Sequence, residues 1–180
     1  TTNHDTLSLH DALPICIRQF LEEEENLLLR DNVKMHFTAS AWVLNPSKNK
    51  VLMLYHNIYQ SWSWSGGHAD GEGDLLSVAM KEVKEESGLV SLKPLSDSPI
   101  SIEILGVQPH YKKQKYVSAH LHLNYTFLLH NTKEEKLKIC PEENSKVGWL
   151  SPDEAVRSST EAWMKPIYKK LNQKMRKYLG

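Results

Sequence analysis

The sequence predicts an α/β or α+β sandwich of strands and helices, and three observations predict it. Strand-like and helix-like segments are interspersed along the whole chain, with no block of either kind. Residues 120–130 alternate as a half-buried strand does, and residues 74–86 carry an apolar stripe at helical spacing. No internal repeat or composition shift divides the 180 residues, so residues 16–180 read as one domain. A chain of that length buries roughly 70% of the surface its unfolded form exposes.

Residues 1–15 show neither a helical nor a strand period. Residues 6–15 are the in-frame translation of ACTCTTTCCCTACACGACGCTCTTCCGATC, part of a common sequencing-library adapter. The segment therefore reads as a non-native leader and is set aside from the fold. Residues 17–30 predict a helix, with Ile17, Phe20, Leu21, Leu27 and Leu28 interrupted by an acidic run at 22–25 that reads as a solvated face. Residues 36–44 and 51–55 predict two strands joined by the turn Asn45-Pro46-Ser47. In residues 74–86, Asp74 is an N-cap, Leu75, Val78, Ala79 and Val83 form the stripe, and Gly88 ends the helix. A loop over 91–99 leads to a strand at 100–107.

Residues 120–130 are the clearest strand. Leu121, Leu123, Tyr125, Phe127 and Leu129 fall on one face, and His120, His122, Asn124 and Thr126 on the other. A short strand at 146–150 precedes Ser151-Pro152-Asp153-Glu154, a helix start with Pro in the first turn. Residues 161–179 predict a final helix.

Charge narrows the function. Lys and Arg number 22 and Asp and Glu 22; without residues 1–15, which hold Asp5 and Asp11 and no Lys or Arg, the balance is 22 against 20. Near-neutrality argues against a nucleic-acid partner or an anionic membrane surface. No stretch approaches the ~18–20 apolar residues that span a bilayer. Two cysteines, Cys16 and Cys140, make no disulfide scaffold, and a reduced cytoplasmic chain is expected.

The chemistry is concentrated in Gly66-Gly67-His68-Ala69-Asp70-Gly71-Glu72-Gly73-Asp74 and the helix that follows. Glu82, Glu85 and Glu86 stand at i, i+3 and i+4, so three carboxylates share one helical face. Like charges at that spacing repel, and a helix C-terminus is the wrong end for anions. A hard divalent cation offsets both penalties, and oxygen-only ligands favour Mg²⁺ or Mn²⁺ over zinc. Glycines ahead of the helix let backbone approach a ligand closely. The plainer alternative is an exposed helix face on which Lys81 pairs with Glu85.

The whole assembly resembles the Nudix box, G-x5-E-x7-R-E-U-x-E-E-x-G-U, with U aliphatic. Gly67, Glu82, Val83, Glu85, Glu86, Gly88 and Leu89 match, and Gly66-Gly67-His68 is similar to the usual entry. Two positions depart: Gly73 stands for the first glutamate and Lys81 for the arginine. Glu72 and Asp74 flank Gly73 and are candidates to replace it. The resemblance implies a Nudix-like α/β/α sandwich over about residues 33–175. It also implies Mg²⁺-dependent hydrolysis (Mn²⁺ being an alternative) of a pyrophosphate bond in a nucleoside diphosphate linked to another moiety. Within it, Glu85 and Glu86 are metal ligands, Glu82 is a third ligand or the base that deprotonates water, and the Gly67 carbonyl reaches the metal. Glu142 and Glu143 are candidates for a further acidic residue outside the box. Substrate contacts fall to Gly66, His68, Lys81, His120, His122 and Glu143. The departures motivate a rival, a Nudix-fold module that binds a nucleotide-like ligand without cleaving it. A homodimer is left open.

Weaker features have ordinary readings. His120 and His122 share a strand face and together suggest zinc, but no third soft ligand stands at a telling spacing, and lining of a substrate groove with Asn124 and Thr126 is preferred. Tyr111-Lys112-Lys113-Gln114-Lys115-Tyr116 suits an exposed β-turn or a phosphate contact. Trp62 and Trp64 suit core packing or a nucleobase stack.

Overall fold

A computed structural model describes residues 9–112 and 114–180. Residues 1–8 of the adapter-like leader and Lys113 of the lysine loop lie outside the described residues. In chain order the elements are α1 (Leu9–Glu23), β1 (Met35–Leu44), β2 (Val51–His56), β3 (Ser61–Ser63), β4 (Ser65–His68) and α2 (Leu75–Ser87). There follow β5 (Leu92–Pro94), β6 (Ser101–Val107), β7 (His110–Lys112), β8 (Lys115–Val117), β9 (His120–Asn131), β10 (Asn144–Leu150), α3 (Pro152–Ser158) and α4 (Met164–Leu179).

The main sheet is mixed, in the order β10-β2-β1-β9-β5, with β3 on β2, β4 on β1 and β6 on β9. Its centre is the parallel pair β1–β9, in register from Met35↔Leu121 to Leu44↔His130. Strand alternation sends Phe37, Ala39, Ala41 and Val43 of β1 and Leu123, Phe127 and Leu129 of β9 to one face, where they pack with Val78, Ala79 and Val83 of α2 and Ile17 of α1. Trp42 and Leu44 of β1 and Leu128 of β9 pack on the other face with Tyr168, Leu171 and Met175 of α4. The sheet is thus covered on both sides, and its central strand β1 is buried along its whole length.

Three local expectations differ. The helix expected at 17–30 occupies Leu9–Glu23 instead, and Asn26 adopts a left-handed φ of 58° beyond it. Leu27 and Leu28 are then held as turns, their carbonyls accepting from the amides of Phe37 (2.7 Å) and Gly71 (2.9 Å). The pair at 36–44 and 51–55 touches as a ladder only at Leu44↔Val51, since β4 takes the inner edge of β1. The loop at 91–99 contains β5. Residues 111–116 agree with the exposed β-turn expected there: they lie in the β7–β8 hairpin, with Tyr111 edge-on to Tyr116 at 5.6 Å.

Candidate active site

The site is built by α2 against β4. Asp74 caps α2, its carboxylate accepting from the amides of Leu76 and Ser77 (3.1 Å each) and from the Ser77 hydroxyl at 2.7 Å. Gly88 ends the helix at φ 75°, a conformation costly for other residues, and donates its N–H to the Lys84 carbonyl. These caps bound the helix that turns Glu82 and Glu86 toward the glycine-rich strand. A methyl group at Gly67 would lie 2.3 Å from the Glu82 carboxyl carbon, so the Glu82 carboxylate occupies space that only glycine leaves.

Glu86 is only 4% exposed. One carboxylate oxygen accepts from the Ser65 hydroxyl and, at 3.2 Å, from the Gly66 amide. Asn144 of β10 holds the same residue from behind, donating from Nδ2 to the Glu86 carbonyl at 3.0 Å. Burial pushes the Glu86 carboxyl up to about 8; the Ser65 bond opposes this, while the charges of Glu82 and Glu143 add to it. Burial also raises Glu82, with further upward pushes from Glu85, Glu143 and Asp70 against a downward pull from Lys81. Glu85 is the exposed member, with Lys81 Nζ at 3.9 Å. Repulsion among these groups is the condition a divalent cation relieves.

Three neighbours were not legible as site residues. Ser65 and Asn144 orient Glu86. Arg30, in the turn after α1, grips Asp70 with Nε on Oδ1 and a terminal nitrogen on Oδ2, a two-point pair that raises the guanidinium and lowers the carboxyl. The charges of Glu82 and Glu143 also raise Arg30, so this cation borders the carboxylate cluster from outside the box. Glu143, in the turn before β10, donates its backbone N–H to the Cys140 carbonyl and accepts from the Asn57 amide, both at 2.9 Å. Glu142, beside it, is exposed.

Neither flank replaces the carboxylate missing at Gly73. Glu72 accepts from the Asp74 amide at 2.8 Å, and Asp74 is committed to its cap. Gly73 itself faces open space.

The other sequence candidates lie elsewhere. Register pairs Thr38↔His68 and Ala39↔Gly67, so His68 and Gly67 face opposite sides of the sheet. His68 packs against His36 and His122, and His120 against both of those rings. Asn124 and Thr126 line no groove: both are buried, in a network with Thr38, Ser40, Ser101 and Glu103. Lys170 of α4 closes that network on Glu103 at 2.7 Å. Trp62 and Trp64 pack against the α4-side core, Trp64 edge-on to Tyr168 at 5.6 Å.

Residues 34–171 match the family model described as NUDIX domain. The chain belongs to the Nudix family. Solved structures of the same fold include a C. elegans Ap4A hydrolase binary complex (18% identity, TM-score 0.58, covering 76% of this chain and 95% of that one). A hydrolase of the NUDIX family from Clostridium perfringens is similar at 17% identity and TM-score 0.57, over 78% of this chain and 96% of that one. The E. coli dihydroneopterin triphosphate pyrophosphohydrolase follows at 16% and 0.55, over 74% and 92%. No curated protein sequence matches this chain. Among the described residues of this Nudix protein, no helix is long and apolar enough to cross a membrane.

Nudix hydrolases generally use divalent metal ions. The residues here fit one: a buried and a half-buried carboxyl, both raised by burial and by neighbouring charge, a third carboxylate beside them, and a glycine backbone lying directly against Glu82.

Proposed function

We propose that this Nudix protein is a Mg²⁺-dependent pyrophosphohydrolase acting on a nucleoside diphosphate linked to another moiety. The observation that carries the reading is the packing of Glu82 and Glu86 beneath Gly66-Gly67, with Glu85 at the exposed edge. Bound Mg²⁺, or Mn²⁺ in its place, supplies charge neutralisation on the phosphate chain and an activated water.

The chain's own residues do the positioning. Ser65 and the Gly66 amide fix the direction of the Glu86 carboxylate, so its lone pairs are aimed before ligand arrives. Because the Gly66 amide is engaged with Glu86, its part is in holding that carboxylate. Glu82, raised by burial and repulsion, serves as a third ligand or as the base that takes the proton of the attacking water. Glu85 and Lys81, both largely exposed, flank the entry, where Lys81 meets an anionic substrate. Glu143 adds a carboxylate from outside the box.

One observation favours a second reading, a Nudix module that binds a nucleotide-like ligand and does not cleave it. Glu72 and Asp74 are both spent on local hydrogen bonds, leaving nothing in the place of the glutamate absent at Gly73. The two readings separate in one experiment. Phosphate or nucleotide release is measured from a panel of nucleoside diphosphate derivatives with the full chain, in Mg²⁺ and in EDTA. Release that requires Mg²⁺ supports the hydrolase; binding of a panel compound with no release supports the module.

A further inference from the structure

Three strands bring histidines to one spot on the face of the sheet opposite the carboxylates. β1 and β9 run parallel with His36 beside His122, and β4 sets His68 beside Thr38. The centroids of His36 and His68 are 5.0 Å apart, those of His36 and His122 5.0 Å, and those of His68 and His122 4.9 Å. One imidazole nitrogen from each of these three lies within 4.8 Å of the other two. His120 joins from the start of β9, its centroid 4.8 Å from that of His36 and its Nε2 3.1 Å from Nε2 of His122.

The hydrogen bonds fix which nitrogens carry lone pairs. His36 Nδ1 lies 3.0 Å from the Asn32 carbonyl, and a carbonyl only accepts, so Nδ1 bears the proton and Nε2 the lone pair. His36 is 4% exposed, and among the described residues its Nε2 is buried with no hydrogen-bond partner. An unpartnered buried acceptor costs stability that nothing around it returns. His120 repeats the arrangement, with Nδ1 2.8 Å from the Ser118 carbonyl and Nε2 left as acceptor. A backbone carbonyl holding one ring nitrogen while the other is presented inward is the outer-shell support that metal-binding histidines use. Protonation is a poor alternative occupant: burial, then the surrounding imidazoles, push His122 down to about 2, and burial lowers His36.

We propose that His36, His68 and His122, with His120 as fourth ligand, hold a transition-metal ion of the zinc class, separate from the Mg²⁺ site of the box. Neutral imidazoles without a carboxylate among them suit Zn²⁺, Co²⁺, Ni²⁺ or Cu²⁺ and give Mg²⁺ no oxygen. The 3.1 Å between Nε2 of His120 and Nε2 of His122 is close to the roughly 3.4 Å between ligand nitrogens of a tetrahedron with Zn–N near 2.1 Å. In the metal-free protein His122 donates from Nε2 to His120. On binding, that proton moves to Nδ1 of His122, so both Nε2 lone pairs face the ion and no proton leaves the protein. The backbone supports on His36 and His120 set the ion's place before it arrives. Because the site sits on β1, β4 and β9, its ion ties β4, the strand that carries Gly66 and Gly67, to β1 and β9, a structural role that needs no exchange with substrate.

The test is a Co²⁺ titration of the chelator-stripped full chain, read by the visible absorption of tetrahedral Co²⁺, followed by displacement with Zn²⁺. One equivalent is expected, with a rise in Tm on adding Zn²⁺. His68→Gln and His122→Gln, checked as folded by circular dichroism, should weaken binding at least tenfold and remove the Tm response. His68 is only half-buried, so this variant gives a reading even if His122→Gln unfolds. Glu85→Gln should bind Co²⁺ as the parent does. Absence of a tetrahedral Co²⁺ band, or binding indifferent to His68→Gln, or binding lost in Glu85→Gln, would each overturn the proposal. None of these readouts depends on turnover, so the hydrolase reading stands or falls apart from it.

Discussion

Gly67 and Glu82 share one space: the position a Gly67 side chain would take is filled by the Glu82 carboxylate, 2.3 Å from where Cβ would stand. The strand and the helix of the box are therefore packed through a functional group rather than through an apolar contact. Gly67→Ala should displace the end of a flexible side chain and leave the fold intact. Turnover is expected to fall about 100-fold, as misplacement of a catalytic group near 1 Å does. Steady-state kinetics beside a thermal melt checks this, with Tm expected to move by only a few degrees.

Ser65→Ala removes the hydroxyl that aims Glu86 and leaves the Gly66 amide as the remaining donor to that oxygen. A bond to a charged group contributes about 1.5–3 kcal/mol, so Mg²⁺ affinity should weaken roughly tenfold or more. Because the hydroxyl lowers the Glu86 carboxyl, its loss shifts the pH profile of kcat/KM to higher pH. Isothermal titration with Mg²⁺ and a pH–rate series report the two effects.

Glu86 also sets a pH dependence of stability without metal. Its folded value of about 8 lies above the ordinary 4.5, so the folded chain holds a proton that the unfolded chain has released. That contribution is complete below 4.5 and is lost as pH rises through 8. His122, held near 2 in the fold, acts oppositely: its contribution is present above 6.5 and is lost as pH falls. The two trends oppose between 4.5 and 6.5, and above 6.5 the opposition from His122 ends. In EDTA, Tm should fall between pH 6.5 and 8.5, as this group withdraws at most about 1.4 kcal/mol of stability per pH unit. Mg²⁺ should reverse the fall, since it binds the deprotonated carboxylate.

Glu103 and Lys170 join the buried polar layer to α4. Glu103 is 4% exposed and bonded to Ser101, Thr126 and Lys170, so Lys170→Met strands a buried charge. A loss of about 3–5 kcal/mol is expected, measured by urea denaturation. Lys81→Ala, which removes only an exposed pair at 3.9 Å, should change stability by less than ~0.5 kcal/mol.

Gly73 faces open space, so Gly73→Glu should fold with an unchanged Tm. If the absent carboxylate limits the rate, turnover rises severalfold; kinetics of this variant against the parent measures it.

What the sequence made legible were features whose signals are local. α2 announced itself through Asp74, its apolar stripe and Gly88, and β9 through strict alternation. The box spacing brought Gly67 to Glu82 because strand, loop and helix lie within one short segment. β3, β4 and β5 are three or four residues long, too short to show a period, and β4 is mostly glycine and serine. The end of α1 was misplaced because Leu27 and Leu28 continue an apolar spacing that the left-handed Asn26 interrupts. Arg30 and Asp70 are 40 residues apart, and Asn144 reaches Glu86 across 58, so nothing in the intervening sequence marks either pair. The histidine cluster was half visible: His120 and His122 showed on one strand, while His36 and His68 join them through sheet pairing alone.

The most direct measurement is product release from the best panel compound, in saturating Mg²⁺, by the parent chain and by Glu85→Gln in parallel. The account predicts release by the parent that EDTA abolishes, and a fall of about 100-fold or more in Glu85→Gln with the fold intact. Equal release by both chains, or release indifferent to EDTA, would contradict it.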